Sequence, residues 1–110
     1  MMQRYLNIME HFGYRNQMKK LNEECYELLE AIDNYEDYVA FGDPGRDEIS
    51  ENARLIFRDA LIGERADVMV LLTQFAHKYE IRKEELDSAM EFKLMRTEDR
   101  IEVGYYDEEK

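Results

Sequence analysis

Apolar residues recur along the chain at three- and four-residue spacings instead of alternating, which is the period of helices that bury one face. A short first helix is expected over residues 3–11, with Leu6 and Met9 on its apolar side and a break near Gly13. The second is long, about residues 15–38, and Met18, Leu21, Cys25, Leu28, Leu29 and Ile32 form one apolar stripe along it. Residues 41–45, Phe-Gly-Asp-Pro-Gly, make a turn. Behind it Asp47 or Ser50 can cap a helix that carries Ile49, Ala53, Ile56, Phe57, Ala60 and Leu61, with Gly63 breaking or bending the path. Residues 64–79 are apolar almost all round, as Val68 to Leu72 and then Phe75 and Ala76, the pattern of a central helix in a bundle. A last helix starts near Lys83 and ends close to Gly104, leaving an acidic tail, 105–110, that is expected to fray. The fold class is all-α: one four-helix-bundle-like domain over residues 1–110, with residues 39–62 as an extra helical insertion.

Composition narrows the functional classes. A chain of 110 residues has room for one core, and with 37% of it charged every helix must be amphipathic. The formal net charge of -11 repels nucleic-acid backbones and anionic lipid, so neither a nucleic-acid polymer nor a membrane is an expected partner. A small polyphosphate stays compatible, because a divalent cation can sit between the two sets of negative charge. Cys25 is the only cysteine, which rules out an intrachain disulfide, and its neighbours fit a buried helical thiol. With no apolar run of signal-peptide or membrane-span length, a cytoplasmic protein is expected.

Chemistry concentrates in two acidic motifs. Residues three apart share a helix face, so Glu24 with Glu27, and Glu64 with Asp67, each set two carboxylates side by side. With 26 acidic residues in 110, either motif alone is expected by chance and reads as a solvated face. Placement changes that weighting. Glu64 falls within the stripe of Val68, Leu72, Phe75 and Tyr79, and Asp67 lies at its edge beside Leu71. On the second helix Gln17, Lys20, Glu24 and Glu27 form a polar line beside the apolar stripe, while Glu23 and Glu30 point further round and read as surface. A carboxylate turned inward must find a partner or shift its pKa. A hard cation with oxygen ligands is one such partner.

The last helix repeats the oddity with opposite sign: Leu86 and Met90 mark its apolar face, yet Lys93, Thr97 and Arg100 continue the stripe with Arg96 on its flank. Snorkelling or an ion pair accounts for Lys93, and so does contact with phosphate oxygens. His11 and His77 stand apart and neither forms ExxH with a glutamate, which counts against a di-iron carboxylate bundle. The chain has no GxxxxGK[ST] loop, so a P-loop is excluded, and no Ser-His-Asp or Cys-His constellation can be argued.

Several segments in order resemble a known family. Phe12-Gly13 with Gln17, then residues 23–31 (Glu-Glu-Cys-Tyr-Glu-Leu-Leu-Glu-Ala), residues 64–68 (Glu-Arg-Ala-Asp-Val) and the basic stretch from Lys93 to Arg100 are similar to the MazG-type branch of the all-α nucleoside triphosphate pyrophosphohydrolases. That superfamily also takes in dUTPase and phosphoribosyl-ATP pyrophosphohydrolase. The resemblance implies a hydrolase that holds magnesium, with manganese as a substitute, and splits a nucleoside triphosphate into a monophosphate and pyrophosphate. It implies Glu24, Glu27, Glu64 and Asp67 as metal ligands and Glu23 as an accessory ligand or water-orienting base. Lys20, Lys93, Arg96 and Arg100 would meet phosphates, and Gln17 the nucleotide. It further implies a homodimer or homotetramer. The chain departs from the family in the long stretch between Leu28 and Gly63 and in having Gly63 where a further acid is common. The alternatives are a phosphoribosyl-ATP pyrophosphohydrolase and a non-enzymatic acidic helical interaction module.

Overall fold

The computed structural model describes residues 2–41 and 48–104, and within them the chain is all-helical. Four helices follow one another: α1 (Met2–Phe12), α2 (Tyr14–Phe41), α3 (Glu48–Lys78) and α4 (Lys83–Glu102). Of the turn expected at 41–45, Phe41 is instead the last residue of α2, and the rest of it, the Asp47 cap and the acidic tail lie outside the described residues.

Gly13 divides α1 from α2 because its φ of 86° belongs to the left-handed region that only glycine enters freely. Its N–H still bonds Met9 O at 2.7 Å, and Asn16 Nδ2 donates to Phe12 O at 2.7 Å, so two of the four terminal carbonyls of α1 are satisfied as α2 begins. At the same end of the molecule, where Lys78 reaches the Tyr14 ring, α3 stops in a left-handed residue that is not glycine: Glu80 has φ 56°. The Ile81 N–H reaches back to Ala76 O at 2.8 Å there, and α4 opens with the Glu85 carboxylate accepting the Arg82 N–H at 2.9 Å.

Gly63 does not break the helix. It lies inside a continuous α3 of 31 residues, with no side-chain neighbour within 4 Å of where a Cβ would stand. An isolated glycine costs a helix only about 1 kcal/mol, and the packing of α3 along α2 offsets it. The segment expected as an inserted helix is therefore the N-terminal half of α3 from Glu48 onward, and Ser50 sits inside the helix and not at its start.

The helices α2 and α3 form a long antiparallel hairpin. Gln17 meets Gln74 near one end, Glu27 and Glu64 share a cluster in the middle, and the rings of Tyr38 and Phe57 pair at 5.4 Å towards the other end. α1 lies across both helices, where it buries Met9. α4 stands away from these three and buries none of its residues. The radius of gyration is accordingly 18.4 Å, against about 13 Å for a compact domain of roughly 100 residues.

Two of the sequence expectations are corrected by this packing. On α2 the inward line is Gln17, Leu21, Glu24, Leu28 and Ala31, whereas Met18, Cys25, Leu29 and Ile32 of the expected stripe are exposed. Cys25 is thus not a buried thiol. On α3 the buried positions are Val68, Leu71 and Gln74; Leu72 and Tyr79 face outward. The physical reason is that α1 and α2 both press on the Val68–Leu71–Gln74 line, and one amide on it is invisible to a search for apolar period. The second apolar face of α2, the outer face of α3 and all of α4 stay uncovered in the single chain.

Candidate functional site

The inward line of α2 turns carboxylates against α3. Glu24, Glu27 and Glu64 each offer an oxygen, and these oxygens lie within 4.8 Å of one another. Their environments differ: Glu24 is only 8% exposed, Glu64 is half-buried and Glu27 is open to solvent. Lys20, one turn before Glu24, reaches Glu24 Oε1 with its Nζ at 3.4 Å. The other oxygen of Glu24 and Oε2 of Glu64 are buried with no hydrogen-bond donor. The Glu24 charge, followed by hydrogen bonding to Glu24, holds the Glu27 carboxyl above the usual carboxylate range, and Glu64 adds in the same sense.

Such an arrangement repels itself, and buried acceptors without donors are costly. It suits a hard cation. Oxygens on opposite sides of an octahedral magnesium stand about 4.2 Å apart, and calcium accepts somewhat longer spans. The 4.8 Å limit on the carboxylate span is wider than the magnesium distance, so the three side chains would close slightly on magnesium and hold a larger oxygen-seeking ion with less movement. On the far side of the cluster a groove of about 420 Å³ is lined by Glu27, Glu30, Ala31, Asn34, Phe57, Ala60 and Glu64. Glu30, which reads in sequence as ordinary surface, borders this groove.

Asp67 is not in the three-carboxylate cluster. It is exposed and lines a second cavity, of about 260 Å³, together with Ile8, Phe12, Gln17, Lys20, Val70, Leu71 and Gln74. Lys20 belongs to both places, since it lines this cavity and pairs with Glu24. Gln17 Nε2 donates to Gln74 Oε1 at 2.8 Å across the helix pair, and Gln74 is 1% exposed, the most buried large side chain described.

The remaining expected residues fall elsewhere. Glu23 is exposed and borders neither cavity. Lys93 and Arg96 are exposed on α4, and Arg100 is half-buried near its end; within one chain that helix does not pack on the carboxylates. The single chain thus gathers Glu24, Glu27 and Glu64 in one cluster and Gln17, Lys20 and Asp67 on the neighbouring cavity, with the Lys20–Glu24 pair between them, and leaves Lys93 and Arg96 of α4 apart. Gln74 was missed. Its signal was present: it stands three residues after Leu71 on the inward face of α3, a polar position inside an apolar run.

No family model matches the chain, and neither a curated protein nor a solved structure matches it. Among the described residues no helix is long and apolar enough to cross a membrane.

Proposed function

We propose that the chain is a magnesium-dependent nucleotide pyrophosphohydrolase that cleaves a nucleoside triphosphate to the monophosphate and pyrophosphate. The observation that carries this reading is the convergence of Glu24, Glu27 and Glu64 within 4.8 Å, with two buried oxygens lacking a donor. The resemblance of the same residues to the acidic motifs of MazG-type enzymes gives the cluster its reaction. Glu24, Glu27 and Glu64 hold the cation, and Asp67, one turn along α3, faces the cavity from which substrate arrives. When bound, magnesium would lower the pKa of water and neutralise charge developing on the phosphate oxygens. Lys20 draws phosphate towards the carboxylates and releases Glu24 as it does so. Glu27 is the solvent-exposed one of the three, so water reaches the cation site on its side. Glu23 has only an outer, water-orienting part in this reading.

A second copy completes the molecule. Leu29 on α2, Ile56 and Met69 on α3, and Leu86, Met90, Phe92, Leu94 and Met95 on α4 are all exposed large apolar residues. An apolar surface of that extent is usual for a protomer and unusual for a lone chain. Lys93, Arg96 and Arg100 then meet phosphate from the α4 of the other copy. The phosphoribosyl-ATP reaction needs the same cluster and is separated from this reading by substrate alone.

The test is release of pyrophosphate from a panel of ribo- and deoxyribonucleoside triphosphates, with magnesium and with chelator. Magnesium-dependent pyrophosphate with matching monophosphate is expected, and Glu24→Gln should abolish it. If the panel and phosphoribosyl-ATP both stay intact, the acidic interaction module takes the place of the enzyme.

A further inference from the structure

The cavity between α1, α2 and α3 has the make-up of a ring-binding pocket. Its walls are apolar, with Ile8 and Phe12 from α1 and Val70 and Leu71 from α3. Its polar content is concentrated in the two amides, with Lys20 and Asp67 as its only charged lining. At about 260 Å³ it lies just under the roughly 300–1,000 Å³ of clefts that take whole drug-sized ligands. One planar base fits that space better than a complete nucleotide does. Lys20 connects this cavity directly to the carboxylate cluster through its 3.4 Å ion pair with Glu24. A base seated here therefore has its phosphates running towards the cation site.

We propose that the hydrogen-bonded Gln17–Gln74 pair is the reading edge of a nucleobase subsite in this cavity. Each amide carries one acceptor and two donors, and their mutual bond uses the Gln17 donor and the Gln74 acceptor. That bond leaves Gln17 Oε1 as an acceptor and Gln74 Nε2 as a donor on residues that both line the cavity. Cytosine complements that order with its amino group and ring nitrogen. If both amides turn about their last bond, their mutual bond survives with donor and acceptor exchanged. The free pair is then reversed, and uracil, with its carbonyl and ring N–H, complements it. The subsite accepts both edges and rejects ligands that lack a base. An amide pair that served only to join α2 to α3 would gain nothing from lining a cavity, and leucines would do as well.

The base subsite deepens the triphosphate reading and rests on it for the orientation of the phosphates. Base binding itself can be tested without metal. In magnesium-free buffer with chelator, protein-detected NMR titrations would compare uridine, cytidine and ribose 5-phosphate. Wild type should bind the two nucleosides with affinities within a few-fold of each other, shifting resonances of Phe12 and Leu71, and should not bind ribose 5-phosphate there. Gln74→Leu should weaken both nucleosides about tenfold, the worth of one hydrogen bond. Because that variant strands the Gln17 amide, the double variant Gln17→Leu/Gln74→Leu is the safer probe. It replaces both partners by apolar groups, should keep the fold, and should lose nucleoside binding. Wild type that binds neither nucleoside, or a double variant that binds them as tightly as wild type, overturns the proposal. Pyrophosphate release separates the two ideas. Nucleoside binding without turnover rejects the triphosphate reading and keeps the subsite, whereas turnover with KM unchanged in the double variant rejects the subsite and keeps the reaction.

Discussion

Lys20 Nζ stands 3.4 Å from Glu24 Oε1, one turn away on the same helix, and satisfies only that one of the two Glu24 oxygens. The Glu24–Glu27–Glu64 cluster thus holds more negative charge than this partly exposed lysine answers. The stability of the protein should therefore depend on what else supplies positive charge.

Magnesium should raise the melting temperature. A ligand that binds only the folded state at a hundredfold excess over its Kd adds about 2.7 kcal/mol. Differential scanning fluorimetry with magnesium and with chelator measures it, and Glu24→Gln or Glu64→Gln should remove most of the shift. Equal melting temperatures for wild type under both conditions would falsify the cation reading.

Without a divalent cation, stability should fall as pH rises. Glu27 has its pKa raised above 4.5 in the folded state, chiefly by the charge of Glu24. The folded chain then binds more protons than the unfolded chain, so this group contributes stability at acid pH that is lost as pH rises from about 4.5 through the folded value. Denaturation of the metal-free protein across that window should show the decline, and Glu27→Gln should flatten it. A decline of the same size in the variant assigns it to other groups.

Lys20→Met should act in two directions. Removing the competing ammonium should tighten magnesium binding by about twofold to fivefold, the range of a partly exposed ion pair. The same change should raise KM for a triphosphate more than it lowers kcat. Calorimetric magnesium titration and steady-state kinetics read the two effects separately. Weaker magnesium binding in the variant would show that Lys20 supports the site and does not compete for it.

Self-association should depend on α4. Wild type is expected to sediment as a dimer or tetramer at micromolar concentration, and Met90→Glu/Phe92→Glu as a smaller species of unchanged helicity. Both side chains are exposed in the single chain, so the substitutions disturb no internal packing. A monomeric wild type at tens of micromolar would leave the apolar surface for some other partner.

Glu80 lies between α3 and α4 with φ 56°. Glu80→Gly should relieve about 1 kcal/mol of left-handed strain, partly offset by the freedom glycine adds to the unfolded chain. Thermal unfolding should show a small rise, and a fall would mean that the Glu80 side chain holds the turn.

Helical periodicity by itself determined that the chain is all-α, and it placed α1, α2 and α4 close to their observed limits. That holds because amphipathic period and the Gly13 break are local properties of the chain. It also determined that acids sit beside or within apolar stripes on α2 and α3, with Gln17 on the same polar line of α2. Tertiary structure decided which stripe was buried. Packing chose the Gln17–Glu24–Ala31 line over the more apolar Met18–Cys25–Leu29–Ile32 line, because α1 and α3 together enclose the former. It carried α3 unbroken through Gly63, since contacts along α2 outweigh one residue's helix propensity. It also set Glu24, Glu27 and Glu64 together while Asp67 went to the neighbouring cavity with Gln74, and it left α4 apart from all of them. Such choices depend on the rotation and register of one helix against another, which residues far apart in sequence fix only when they meet.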